Sequence, residues 1–387
     1  MISLLIIAPI FVVILGNIGT DNEYFRFFSQ TEFINYTKNS LSILISVLFI
    51  TFVLGTFSAY LVSFYEFPFV NFFKYSLLLS FAIPPYIFGY TLSGFFENYG
   101  TFYSILNYFF DEEFINNILP NLDPFFGSII SLSLSLFGYV FILTRSSFIN
   151  QSRNLIEVGK NLGFTNFDIF FKVILPSARP AIFIGLSLVG METLADFGTV
   201  SFFGLSTFTT GIYNSWFIFD DLKTANFLSF LLLFFIFSLF LLENFSRKNM
   251  RFHNSVNSLR RKNEKINLKG TKKNLAFLFC FIIFFISFLF PLFQMLYWTF
   301  SLPNLFEIQE IISMNVNSMK LILLASTVII TLSLFVNFGI RVLKSKFLIF
   351  ISNLSIAGYA IPGIVISVAI ITFFSLADDI LGLNIKG

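Results

Sequence analysis

Apolar residues in this chain run in blocks of about 20, the length one helix needs to cross the hydrocarbon core of a bilayer. That run length constrains the fold more than any other feature. Nine such blocks can be read, at 2–18, 40–63, 75–96, 125–147, 180–200, 225–244, 274–298, 317–340 and 347–375. A helix satisfies its own backbone N–H and C=O groups, so it can cross lipid without leaving unpaired polar atoms. The charged fraction agrees, at 12% of 387 residues with mean hydropathy +0.83, against about 25% in soluble domains. The expected fold class is therefore all-α integral membrane, a multi-span helical bundle. Block 2–18 has no Lys or Arg before it and no small-x-small cleavage site after it, so it is read as a helix and not as a signal peptide.

Lys and Arg stay preferentially on the cytoplasmic side of spanning helices. Segment 246–273 carries Arg247, Lys248, Arg251, Arg260, Arg261, Lys262, Lys265, Lys269, Lys272 and Lys273 against one acid, Glu264. Segment 145–179 carries Arg145, Arg153, Lys160, Lys172 and Arg179, and Arg341, Lys344 and Lys346 follow the eighth block. The alternate loops are acidic, with Glu97, Asp111, Glu112, Glu113 and Asp123 in one and Glu307 and Glu310 in another, and no base in either. One alternation fits them all, with the N-terminus cytoplasmic. A basic run between two spans reads as a solvated linker touching membrane lipid, so no nucleic acid is expected as a partner. One cysteine (Cys280) and one histidine (His253) exclude an intramolecular disulfide and a His/Cys metal cluster.

The chain repeats itself at an offset of 278 residues: Asn39-Ser40 falls on Asn317-Ser318, and Ala82-Ile83-Pro84 on Ala360-Ile361-Pro362. A proline inside a spanning helix frees a carbonyl, which only protein or a cavity can satisfy. Pro84 and Pro362 are thus expected on two related helices lining one pathway. Counterparts of the fourth to sixth blocks do not follow in the second copy, so it is expected to be incomplete, with the chain truncated at its C-terminus. The division is 1–245, a first transmembrane core with a functional loop at 150–178; 246–273, a basic cytoplasmic linker; and 274–387, a truncated second core.

The loop between the fourth and fifth blocks carries the most specific pattern. Residues 152–162 suit a short helix stopped at Gly163. Thr165 with Asp168 forms a capping box that starts a second helix, and Pro176 is expected to end it. The result is a bent knob with Phe164, Phe167, Phe170, Phe171 and Val173 as apolar contacts.

This loop resembles the EAA loop of binding-protein-dependent ABC-importer permeases, with pattern E-A-A-x3-G-x9-I-x-L-P. Glu157, Gly163, Leu175 and Pro176 stand at the matching positions, with Val158 and Gly159 for the two alanines and Val173 for the isoleucine. The stretches Met191-Glu192-Thr193-Leu194-Ala195-Asp196-Phe197-Gly198, Phe203-Gly204 and Thr207-Phe208-Thr209-Thr210-Gly211 look like the iron(III) permeases of that family. The resemblance implies two tandem type I permease cores in the bacterial cytoplasmic (inner) membrane and a coupling helix that docks on ABC ATPase subunits. It also implies a periplasmic substrate-binding protein as partner. No phosphate loop of the form G-x-x-x-x-G-K-[ST] is present. The chain is therefore read as a transporter and not an enzyme, with no cofactor of its own and ATP on the partner subunit.

Glu192 and Asp196 share a helix face at a spacing of four. An acid within a span faces protein or water, so the pair either lines a cation path or, for Asp196, satisfies nearby backbone. Thiamine, sulfate, phosphonate or polyamine are alternative cargoes. An ion-coupled secondary transporter also uses repeats and midplane acids, but has no need of the loop. An intramembrane enzyme lacks a paired nucleophile and base.

Overall fold

The computed structural model describes residues 13, 32–120, 122–150, 159–248, 265–301, 308–343, 345 and 361–381. The block at 2–18 apart from Val13, the start of the ninth block, Glu157 and Val158 lie outside the described residues.

The architecture is helical, as the apolar blocks require. The first long helix, α1 (Phe33–Phe64), ends in a two-residue strand, β1 (Tyr65–Glu66). Then come α2 (Val70–Ser76), continued by a 3-10 stretch Leu77–Ala82, and α3 (Pro85–Phe96). Two short helices, α4 (Thr101–Leu106) and α5 (Glu112–Ile118), lead to α6 (Pro124–Asn150). A rod follows, from α7 (Asn166–Ile169) through a π turn (Phe170–Ile174) to α8 (Leu175–Ala195). Beyond it lie α9 (Gly198–Phe202), α10 (Phe208–Tyr213) and α11 (Leu222–Lys248). The later part holds β2 (Ile266–Asn267), α12 (Thr271–Phe284), α13 (Phe290–Ser301), α14 (Ile308–Leu343) and α15 (Gly363–Leu381).

The six long apolar helices fall on expected blocks. The block at 75–96 is different: it is not one straight span but two helical pieces bent by 87°. Tandem prolines explain the break. Each Pro disfavours α conformation in the residue before it, and Ile83 (φ −109°, ψ 106°) and Pro84 (φ −57°, ψ 145°) are both extended. Pro85 then opens α3 at its first position, where no N–H is needed. Pro84 thus flanks a helix and does not sit inside one. The carbonyl a proline frees lies four residues back, and here Ser80 C=O accepts from Ile83 N–H at 3.4 Å, while Pro84 C=O accepts from Phe88 N–H at 3.0 Å. Pro362 does the same, accepting from Ile366 N–H at 3.1 Å ahead of α15. The offset of 278 also lays α1 over 311–342, inside α14.

α6 is the central helix, and small residues bring its neighbours close. A Cβ on Gly55 of α1 would lie 2.7 Å from Val140 Cβ, and one on Gly185 of α8 would lie 2.9 Å from Val140 Cα. Backbones approach in this way only where a side chain is absent. The buried core at one end of the bundle joins Ala59, Val62, Phe73, Phe141, Phe148, Ile169, Ile174 and Cys280. A second core joins Leu44, Leu194, Phe208, Leu228 and Val368, so α15 packs on the first half of the chain. The apolar face of α14 is exposed along its length.

Contacts between loops group the charged segments by end. Arg145 Nη1 donates to the Lys74 carbonyl at 3.3 Å, and Lys265 Nζ lies 3.7 Å from Glu66. The parallel pairing of Tyr65 with Ile266 and Glu66 with Asn267 fixes the end of the basic linker at that corner. At the opposite end Gln294 donates to Thr101 Oγ1 at 2.6 Å, and Trp298 packs on Tyr90.

Candidate functional site

The loop between α6 and α8 is built, over its described residues, by two capping motifs. Residues 159–161 are helical, and Gly163 takes φ +79°, a left-handed conformation glycine adopts without strain. Gly163 N–H donates to Lys160 C=O, and Phe164 N–H to Gly159 C=O, both at 3.0 Å. These are the two bonds of a Schellman turn, which satisfies the last carbonyls of a helix. Two residues later the chain starts a new helix. Thr165 N–H donates to Asp168 Oδ2 at 3.3 Å, and Asp168 N–H donates back to Thr165 Oγ1 at 3.2 Å. This is the expected capping box, with Asp in the role of Glu. Lys172 closes it, 2.6 Å from Asp168 and 5.3 Å over the Phe164 ring.

The aromatic side chains of the loop divide into two sets. Ile169 and Ile174 are buried, and the Phe170 ring lies 4.4 Å from that of Tyr60, which also packs on Phe148. These side chains anchor the loop to α1 and α6. On the outer side Leu162 is 67% exposed, Phe167 71% and Phe171 47%. Phe167 and Phe171 pack on each other at 4.5 Å, forming an apolar ridge beside the capped turn. Of the pattern positions, Gly159, Gly163, Val173, Leu175 and Pro176 all belong to this unit.

Pro176 does not end the second helix, contrary to the reading from sequence. The helix continues from Asn166 to Ala195. The wide turn at Phe170–Ile174 precedes the proline, which then occupies the first turn of α8. A proline there replaces an N–H that the turn no longer pairs. The loop and the span are therefore one rod.

Glu192 and Asp196 lie at the far end of that rod. Together with Pro85, Leu132, Leu136 and Phe197 they line a cavity of about 250 Å³. Pro84 and Pro362 are not among its lining residues. The Asp196 carboxylate is committed to backbone: Oδ1 accepts from Thr199 N–H at 3.0 Å and Val200 N–H at 3.1 Å, and Oδ2 from Thr199 Oγ1 at 3.0 Å. It caps α9. Its own carbonyl accepts from Thr209 Oγ1 at 2.7 Å, which ties the end of α8 to α10. Among the described residues no three His, Cys, Asp or Glu side chains could together hold a metal ion.

The sequence reading missed what holds α10 in place. Asn39 Nδ2 donates to Ser206 C=O at 3.0 Å, and Ser40 Oγ accepts from Phe208 N–H at 3.1 Å. Thr207 and Thr210 complete a capping box at the start of α10. The signal was present in the repeat, which singled out Asn39-Ser40, and in the Thr-x-x-Thr spacing.

A bundle of long apolar helices, with one further span broken at its prolines and a doubly capped loop continuous with the helix that reaches an acid-lined cavity, defines a polytopic helical membrane protein. Residues 51–251, from within α1 to just beyond α11, match the family described as "Binding-protein-dependent transport system inner membrane component", and the chain belongs to that family. It is 25% identical over 339 residues to the Fe(3+)-transport system permease protein FbpB 2 of Haemophilus influenzae, covering 87% of this chain and 62% of that protein. It is also 27% identical over 122 residues to a probable sulfate transport system permease protein, cysT, of Chlorella vulgaris, covering 32% of this chain and 43% of that one. The chain thus spans less than two thirds of either relative.

Proposed function

We propose that this chain is a membrane-embedded subunit of an ATP-binding-cassette importer that carries iron(III) across the bacterial cytoplasmic membrane, with its N-terminus on the cytoplasmic side. The observation that carries the proposal is the exposed ridge of Leu162, Phe167 and Phe171 on a doubly capped turn, set in the EAA spacing of Glu157, Gly163, Leu175 and Pro176. A rigid apolar knob is what a groove on a separate ATPase subunit can grip. ATP is bound and hydrolysed there and not on this chain. A periplasmic binding protein delivers cargo to the opposite end.

The continuous rod supplies the coupling. At 1.5 Å per residue, Phe167 and Glu192 lie about 38 Å apart along one helix, so displacement of the knob moves the wall of the acid-lined cavity. Glu192 and Asp196 are the two carboxylates that line this cavity, and Asp196 also holds the start of α9. Residues 1–245 form the first core, 246–273 the cytoplasmic linker, and 274–387 a region related to the first core by the repeat. Iron is favoured over sulfate because the iron permease aligns over 87% of the chain and the sulfate permease over 32%.

The test is uptake of radiolabelled iron(III) into vesicles holding the full complex, compared with Phe167→Ala/Phe171→Ala and Glu157→Lys variants. Uptake should require ATP and fall at least about tenfold in both variants, equivalent to a loss of about 1.4 kcal/mol of coupling free energy, with the bundle equally stable. Uptake that persists without the ATPase sinks the importer reading. ATP-driven sulfate uptake without iron uptake keeps the architecture and replaces the cargo.

A further inference from the structure

Three cations from separate stretches of the chain meet at the corner beside the knob. Lys74 lies in the last turn of α2, Arg145 in the last turns of α6, and Lys265 immediately before β2. The β1–β2 pairing holds Lys265 there, reinforced by Leu268 N–H donating to Glu66 C=O at 3.2 Å. Arg145 donates to the Lys74 carbonyl at 3.3 Å. Among the described residues Glu66 is the acid facing this group; it forms an ion pair with Lys265 at 3.7 Å, longer than a hydrogen bond, so one carboxylate serves three cations. Lys74 Nζ is bonded to Asn71 Oδ1, a neutral partner. Arg145 Nε and Lys265 Nζ are both buried without an acceptor among the described residues. A buried charged donor without an acceptor is unfavourable, so such an arrangement calls for an anion.

The surroundings indicate which anion. Phe69, Phe72 and Tyr75, beside Lys74, are all at least half exposed, and the Arg145 guanidinium sits 5.9 Å from the centre of the Tyr75 ring. The corner is thus apolar on its rim and cationic within, at the ends of spanning helices. Basic pockets between helices on the cytoplasmic side take phosphate headgroups while the rim meets acyl chains. We propose that Lys74, Arg145 and Lys265 form a site for the phosphate group of an anionic membrane lipid, which joins the linker to the first core next to the coupling loop. Burial, reinforced by Lys74, pulls the Lys265 ammonium down to about 8, and Glu66 offsets this only in part. A phosphate would reverse that effect.

The test is thermal unfolding of the full-length chain in neutral detergent with added phosphatidylglycerol, phosphatidylcholine or inorganic phosphate. Phosphatidylglycerol should raise the midpoint at concentrations where the other two do not. Lys74→Gln and Lys265→Gln should each weaken its apparent affinity about tenfold, the effect of losing one charge-assisted bond of about 1.4 kcal/mol. Glu66→Gln, which removes the competing acid, should tighten it. Lys74 is only partly buried, so its variant is expected to fold even if those at the buried cations do not. An equal shift from inorganic phosphate, lost in the same variants, keeps the phosphate site and moves its source from lipid to solute. A shift unchanged by every variant, or matched by phosphatidylcholine, overturns the proposal.

Discussion

The two ends of the rod from Asn166 to Ala195 are capped by the same chemistry and put to different uses. At the Asn166 end Asp168 bonds within its own turn, and the aromatic residues beside it face outward. At the Ala195 end Asp196 reaches forward to the backbone of α9, while its carbonyl holds Thr209 of α10. One end is a locally capped turn, anchored on its inner side by Ile169 and Phe170 and exposed on its outer side at Phe167 and Phe171. The other is a junction of three helices beside a cavity. Damage to the first end should therefore impair coupling more than stability, and damage to the second should impair both.

Asp196→Ala tests the sharper half of this contrast. It removes the acceptor of three hydrogen bonds and leaves the N–H groups of Thr199 and Val200 inside a half-buried junction. Bonds to a charged group contribute about 1.5–3 kcal/mol each and do not add, so a loss of about 3 kcal/mol is expected in unfolding from mixed micelles. Asp196→Asn keeps a neutral acceptor and should lose about 1 kcal/mol. If the alanine variant is as stable as wild type but transports poorly, the carboxylate serves the path and not the junction.

Gly163 makes the corresponding test at the loop. An L-residue held at φ +79° is strained by about 1–2 kcal/mol, although a Cβ there would meet nothing within 4 Å. Gly163→Ala should therefore change stability by about that amount through the backbone alone, with a larger loss of ATP-driven uptake. A variant with full uptake would mean that the turn need not keep its Schellman geometry to dock.

These differences also explain which parts of the molecule could be read from sequence. Helix existence follows from apolar run length, so the long helices fell where expected. The loop was legible because its caps are local: Gly163, Thr165 and Asp168 act within a few residues of one another. Pro84 reads from sequence as lying inside a spanning helix because the consequence of Pro85 beside it, two extended residues and an 87° bend, depends on the pair. Pro176 was misread because a π turn, set by packing of Ile169, Phe170 and Ile174 on α1 and α6, has no sequence signature. The commitment of Asp196 to α9 could have been suspected from Thr199 three residues on, the same spacing that marked Thr165 and Asp168. Asn39-Ser40 was visible only as a repeat, since its partners lie 167 and 168 residues away.

The smallest expected effect probes how closely the two arms of the loop are packed. Gly159 stands where the family pattern has alanine, and in a helix alanine is favoured over glycine by about 1 kcal/mol. Against that gain, a Cβ on Gly159 would lie 3.1 Å from Ile169 Cγ1, a contact that requires the isoleucine to give way. Ile169 is buried against the core of α1 and α6 and has little room to move. The two terms are of similar size, so Gly159→Ala should leave stability within about 0.5 kcal/mol of wild type. A gain of the full propensity term would mean that Ile169 shifts freely and the first arm rests loosely on the second. A loss beyond about 1 kcal/mol would mean that the arms are locked together, so that the knob moves as one body with the rod and passes any displacement directly to the cavity beside Glu192.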